Sequence, residues 1–111
     1  MKMKIGYGME TDVRIVHAVR EAIGSEIGLA VDSNCAYVAG TAIALGARLQ
    51  QYNLLWWEEP LLASDIDGYS RLRGRLNMPI ASGETLDADT LMRDWIPTRL
   101  ADILQPEVEI L

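Results

Sequence analysis

The sequence predicts an α/β fold of five parallel strands alternating with four helices, and three observations predict it. Short apolar runs ending in polar residues alternate with amphipathic stretches of helical period. Acidic residues recur at the ends of three successive runs with constant spacing. No linker or low-complexity stretch divides the 111 residues, so the chain reads as one unit over 1–111.

The elements follow in order. Met1 to Ile5 reads as a first strand, and Val13, Val16, Val19 and Ile23 then recur at spacings of three and four, the signature of a helix with one apolar face. Thr11 or Asp12 is the expected N-cap of that helix, and Gly24 marks its end. Gly28 to Val31 is the second strand, and Val38 to Gln51, rich in Ala and Leu, the second helix. Leu54 to Trp57 is the third strand. The helix after it is entered from Asp65 and lined by Ile66, Tyr69, Leu72 and Leu76. Met78 to Ala81 is the fourth strand, Leu91, Met92, Trp95 and Ile96 a fourth helix that Pro97 should disturb or end, and Ile103 to Leu104 the last strand. Strands alternating with helices of this length imply right-handed crossovers and a parallel sheet.

Composition narrows the function. Half the residues are hydrophobic, the net charge is −6, and no run approaches the length needed to span a bilayer, so no membrane partner is expected. Met1-Lys2-Met3-Lys4 lacks the apolar core of a signal peptide, and the lone Cys35 has no internal partner; both fit a cytoplasmic protein. The acidic balance argues against nucleic acid, so none is expected as a partner. Arg71, Arg73 and Arg75 are the only basic cluster, and apolar neighbours Leu72 and Leu76 make them a solvated helix face.

The chemistry lies at the strand ends. Asp32, Glu58 and Glu84 are 26 residues apart, 58 − 32 and 84 − 58, one strand-helix unit each time. Equal spacing places three carboxylates at the C-terminal ends of three successive strands, where parallel α/β folds build their sites. Three acids at one mouth repel one another unless a cation sits among them, and an all-oxygen set suits Mg²⁺. The chain's only lysines, Lys2 and Lys4, stand two apart on the first strand and so share a face, as do Asp32 and Asn34. Two ammonium groups close together and close to a dication disfavour each other's charge, so a lysine with a depressed pKa is expected there, able to act as a general base.

These residues resemble motifs of the enolase superfamily, in the group of mandelate racemase and muconate lactonizing enzyme. Lys2-Met3-Lys4 resembles its Lys-x-Lys motif, Val31-Asp32-Ser33-Asn34 its third-strand metal motif, Trp57-Glu58-Glu59-Pro60 its Glu-Glu-Pro, and Ser82-Gly83-Glu84 its fifth-strand ligand. The resemblance implies a partial TIM-type (β/α) barrel running from the second to the sixth strand, without the capping domain and the remaining strands. It also implies Mg²⁺ held by Asp32, Glu58 and Glu84, Lys4 as the base, Lys2 on the substrate carboxylate, and Asn34 in or beside the site. The expected substrate is a hydroxy acid or sugar acid, racemised or dehydrated. The Glu at position 84 and Leu104-Gln105-Pro106-Glu107, without a lysine, look more like the racemase and acid-sugar dehydratase enzymes than the lactonizing ones.

The match departs from that pattern in two places. Glu107 stands where racemase-type members usually carry Asp, and the His that partners it on a later strand has no counterpart, since His17 falls on a helix face. Whole barrels of this type take about 250 residues. The expectation is therefore either an enzyme core or an inert barrel fragment, and a homo-oligomer that covers two open sheet edges. A five-stranded flavodoxin-like or receiver shape is the competing architecture for a chain of this length.

Overall fold

A computed structural model describes residues 1–110; Leu111, the last residue of the expected unit 1–111, lies outside the described residues. Five short strands, β1 (Lys2–Lys4), β2 (Ala30–Asp32), β3 (Trp57–Glu58), β4 (Ile80–Ser82) and β5 (Ile103–Leu104), form one parallel sheet in the order β1-β2-β3-β4-β5. Each strand therefore lies beside its predecessor in sequence, as in a barrel wall. A doubly wound flavodoxin-like sheet reverses direction at a switch point, so the competing architecture is excluded.

Register explains the two faces. Met3 aligns with Val31, Val31 with Trp57, and Trp57 with Ile80, so these side chains share one face. That face carries the helices: α1 (Met9–Ile23), α2 (Ala39–Leu49, continued by a 3₁₀ turn Gln50–Tyr52) and α3 (Ile66–Arg75). Val31, Trp57 and Ile80 are wholly buried together with Val16 of α1, Leu45 and Leu49 of α2, and Tyr69 and Leu72 of α3. Helix α2 can lie close to the sheet because position 46 is glycine. A β-carbon there would stand 2.3 Å from Leu76 Cδ1 and 3.1 Å from Trp57 Cζ3.

The opposite face holds the residues in the alternate positions. Lys2 aligns with Ala30, Lys4 with Asp32, Asp32 with Glu58, and Glu58 with Ala81. No helix covers this side among the described residues, and both lysines are exposed on it.

Two helices differ from expectation. Helix α1 starts at Met9, with Gly8 as its N-cap, so neither Thr11 nor Asp12 caps it. Asp12 is instead buried beneath the β1–α1 loop. The fourth helix is composite: α4 (Ala88–Thr90), a π-helical stretch (Leu91–Trp95), and α5 (Ile96–Thr98). Pro97 has no N–H to donate and its ring crowds the preceding turn. The widened π turn, in which Ile96 N bonds Leu91 O, carries the chain through without a break. Asp65 caps α3 as expected, accepting from Gly68 N at 2.9 Å.

Candidate functional site

The sheet's open face brings five of the expected site residues together. Lys2 Nζ donates to Glu58 Oε2 at 2.7 Å and lies 3.8 Å from Asp32 Oδ2. Lys4 Nζ donates to Asp32 Oδ2 at 2.5 Å. Both carboxylates are buried, Asp32 at 2% and Glu58 at 4% exposure, while the ammonium groups reach them from the solvent side. A buried carboxylate is stable only when paired and hydrogen-bonded, and here each has a cation and a further donor. Asn34 N donates to Asp32 Oδ1 at 2.9 Å, and Trp56 Nε1 to Glu58 Oε2 at 3.2 Å.

Asn34 belongs to the cluster as expected, its Oδ1 accepting from Lys4 Nζ at 3.1 Å. Glu84 stands apart. Glu58 aligns with Ala81, so the register advances 23 residues from β3 to β4 (81 − 58), not 26. Glu84 consequently lies beyond the strand end, exposed in the turn after β4. Among the described residues no three His, Cys, Asp or Glu side chains converge on one point. The charge of Glu84 still raises the pKa of Lys4, Cys35 and Glu59, which puts it within electrostatic reach of the pair. Glu107 is exposed in the turn after β5, accepting from Glu109 N at 3.5 Å, and takes no part in the cluster.

The depressed pKa expected for Lys4 belongs to a site with a dication; with the carboxylates alone around it, the pKa moves the other way. Its hydrogen bond to Asp32, with the charges of Asp32, Glu58 and Glu84, holds its pKa above the ordinary lysine value. Desolvation acts in the opposite direction and is outweighed. The expected depression relied on a neighbouring ammonium and a dication, whereas the groups nearest Lys4 Nζ are carboxylates.

Two residues outside the expected site set also reach the cluster. Gln105 Nε2 approaches Glu58 Oε2 at 3.5 Å, and Trp56 donates to the same oxygen. Strand parity was the available signal: Trp56 stands two before Glu58, and Gln105 two after Ile103, which aligns with Ala81 on the open face.

Behind the cluster, Glu59 turns through a left-handed conformation at φ 44° and buries its side chain to 3% exposure. Its backbone carbonyl accepts from Cys35 N (2.7 Å) and Ser33 Oγ (3.0 Å), which ties the loop after β3 to the loop after β2. Burial first, then the charge of Glu84, raises the Glu59 pKa, and the Cys35 thiol donating to it partly offsets this.

The donor set suits a hard divalent cation at Asp32 and Glu58. Two buried carboxylates on adjacent strands turn one oxygen each toward the same point, and Lys2 Nζ already places a positive charge between them.

The family model described as "Enolase C-terminal domain-like" matches residues 1–110. The chain is 40% identical over 107 residues to D-galactarolactone cycloisomerase of Agrobacterium fabrum, covering 96% of this chain and 28% of that protein. It is 41% identical over 108 residues to L-talarate/galactarate dehydratase of Salmonella typhimurium, covering 96% and 27%. Among solved structures, L-talarate dehydratase of a Polaromonas species, complexed with Mg and L-glucarate, superposes with a TM-score of 0.93 at 35% identity. That superposition covers 100% of this chain and 31% of the other. The chain thus spans less than a third of the length of these relatives. By motif, sheet order and match, the chain belongs to the mandelate racemase and muconate lactonizing enzyme family of the enolase superfamily.

Proposed function

We propose that this chain forms the proton-abstracting, Mg²⁺-binding wall of an acid-sugar dehydratase or racemase site, acting on a hydroxy acid or sugar acid. One observation carries the reading: two lysines on an open sheet face, each hydrogen-bonded to a buried strand-end carboxylate. The solved relative holding Mg and L-glucarate, both matching this chemistry, adds support.

Asp32 and Glu58 would hold the cation, with Glu84 as third ligand from its turn. Bound there, Mg²⁺ supplies positive charge that stabilises the anion formed when a proton leaves the carbon beside a carboxylate. Lys4 is the base. The Cα–H bond breaks, the proton passes to the neutral Nζ, and the electron pair moves into the substrate carboxylate. The carboxylates that hold the proton on Lys4 are the groups assigned to the cation, so engaging them weakens that hold. Asn34 keeps its bond to Lys4 and fixes the direction of the amine. Lys2, next along the same face, is placed to meet the substrate carboxylate.

The half-reaction is testable on the 111-residue chain. Calorimetric titration with Mg²⁺ should show binding that Glu58→Gln weakens by tenfold or more, an expected loss of about 1.4 kcal/mol or above. In heavy water with Mg²⁺, galactarate or a related sugar acid should take up deuterium at the α-carbon, and Lys4→Ala should abolish the uptake. Unchanged uptake in Lys4→Ala would remove Lys4 as the base. Absence of Mg²⁺ binding in the parent chain would remove the metal site.

A further inference from the structure

Asp12 is a fully buried acid, at 0% exposure, that the reading above leaves without a task. Its Oδ2 accepts from Gly6 N at 2.9 Å and its Oδ1 from Tyr7 N at 3.0 Å. Tyr37 Oη donates to the same Oδ2 and accepts from Gly8 N at 3.1 Å. One carboxylate and one phenol therefore bind three consecutive amides of the β1–α1 loop. No cation pairs with Asp12 among the described residues, so these hydrogen bonds alone offset its burial. Helix capping does not account for it, because Gly8 is the N-cap and its carbonyl already accepts from Asp12 N at 2.8 Å.

The clamp joins the loops that carry the cluster. Tyr37 lies in the β2–α2 loop, bridges to Leu61 beyond β3, and meets the Trp57 ring edge-on with centroids 6.4 Å apart. The β1–α1 loop rests on the same segment. Gly6 has φ +110°, and a β-carbon on it would stand 3.0 Å from both Ala36 Cβ and Ser33 O. Lys4 ends the strand two residues before Gly6, and Asn34 lies three residues before Tyr37. Their side chains meet at 3.1 Å across the seam that Asp12 and Tyr37 close.

We propose that Asp12, acting through Tyr37, is the positioning residue that sets Lys4 against Asn34. This rests on the reading of Lys4 as the base. It extends that reading from the cluster to a buried carboxylate and a half-buried tyrosine whose hydrogen bonds go to the β1–α1 loop and to each other. The clamp fixes where β1 ends relative to β2, and hence which way the Lys4 amine points.

The chain offers a clean readout, since Lys2 and Lys4 are its only lysines. Lysine-selective ¹⁵N labelling gives two Nζ signals, with Asn34→Ala defining the shift that follows loss of the Lys4–Asn34 contact. Tyr37→Phe keeps the ring on Trp57 and removes only the hydroxyl. Its Lys4 Nζ signal should move toward the Asn34→Ala position while Lys2 stays in place. Amide exchange at Gly6, Tyr7 and Gly8 should rise on the order of tenfold. Asp12→Asn should do the same, and if it does not fold, Tyr37→Phe decides. Faster exchange with an unmoved Lys4 signal would overturn the proposal, leaving a purely structural clamp. The signals are read without Mg²⁺ or substrate, so a chain that binds no metal yet shows the Lys4 shift loses the functional reading and keeps this one.

Discussion

At the scale of single residues, carboxylates govern the charge state of everything around them. Cys35 shows this outside the lysine pair. Burial, then the charge and hydrogen bond of Glu59, push its thiol up to about 11. The folded chain therefore holds that proton more tightly than the unfolded chain does. The resulting stability is complete below the ordinary thiol value of 9.0 and is lost as pH rises through about 11. Only the thiolate reacts, so iodoacetamide should label native Cys35 slowly at pH 8, where about one thiol in a thousand is ionised. The rate should climb with a midpoint near 11, and a midpoint near 9 would show that Cys35 is neither buried nor held against Glu59 in solution. Residue-scale chemistry was partly legible in the sequence. Lys2, Lys4, Asp32 and Asn34 follow from period-two alternation and Glu58 from the 26-residue step, because strand parity is local. The displacement of Glu84 was not legible, since it depends on a register of 23 residues from β3 to β4 that spacing between acids does not reveal.

At the scale of elements, apolar period and caps located the helices well wherever the signal lay in side chains. Helix α3 begins at its Asp65 cap, and α1 buries the Val16 stripe that its spacing marks. The start of α1 is not legible in the sequence, because a backbone-only Gly8 cap leaves no side-chain signature, while Asp12 offers one and uses it elsewhere. The π stretch before Pro97 was likewise hidden, being a choice among hydrogen-bond ladders rather than a pattern of residues. Contact between α2, β3 and α3 depends on the absence of a β-carbon at position 46. Gly46→Ala gains helix propensity, worth about 1 kcal/mol. It must also displace Leu76 and Trp57, a packing cost of about 1–3 kcal/mol that falls on a rigid indole and a buried leucine. The cost should win. Urea titration should give a net destabilisation of up to about 2 kcal/mol, and Gly46→Ala made in a Leu76→Ala background should lose that cost if the Leu76 contact is its source.

At the scale of the whole molecule, sheet order separates this chain from other five-stranded α/β folds. Sequential parallel strands with helices on one face make a segment of barrel wall, and its other face is where the lysines and carboxylates meet. The alternation of elements was readable from the residues themselves, but strand order was readable only through the family resemblance: the same alternation serves a doubly wound sheet, and only pairing between distant strands decides. That order leaves β1 and β5 each paired on one side among the described residues, with unpaired amides and carbonyls along the other. The β5 edge carries the half-buried apolar side chains of Ile103 and Leu104 rather than charges. Exposed strand edges of this kind pair with other chains unless blocked. The 111-residue chain should therefore self-associate, reaching at least twice the monomer mass in sedimentation equilibrium at micromolar concentration. Ile103→Lys places a charge at the β5 edge and should shift the population toward monomer without loss of helical circular dichroism. A parent chain that stays monomeric across a hundredfold range of concentration would show that both edges are stable in water as they stand.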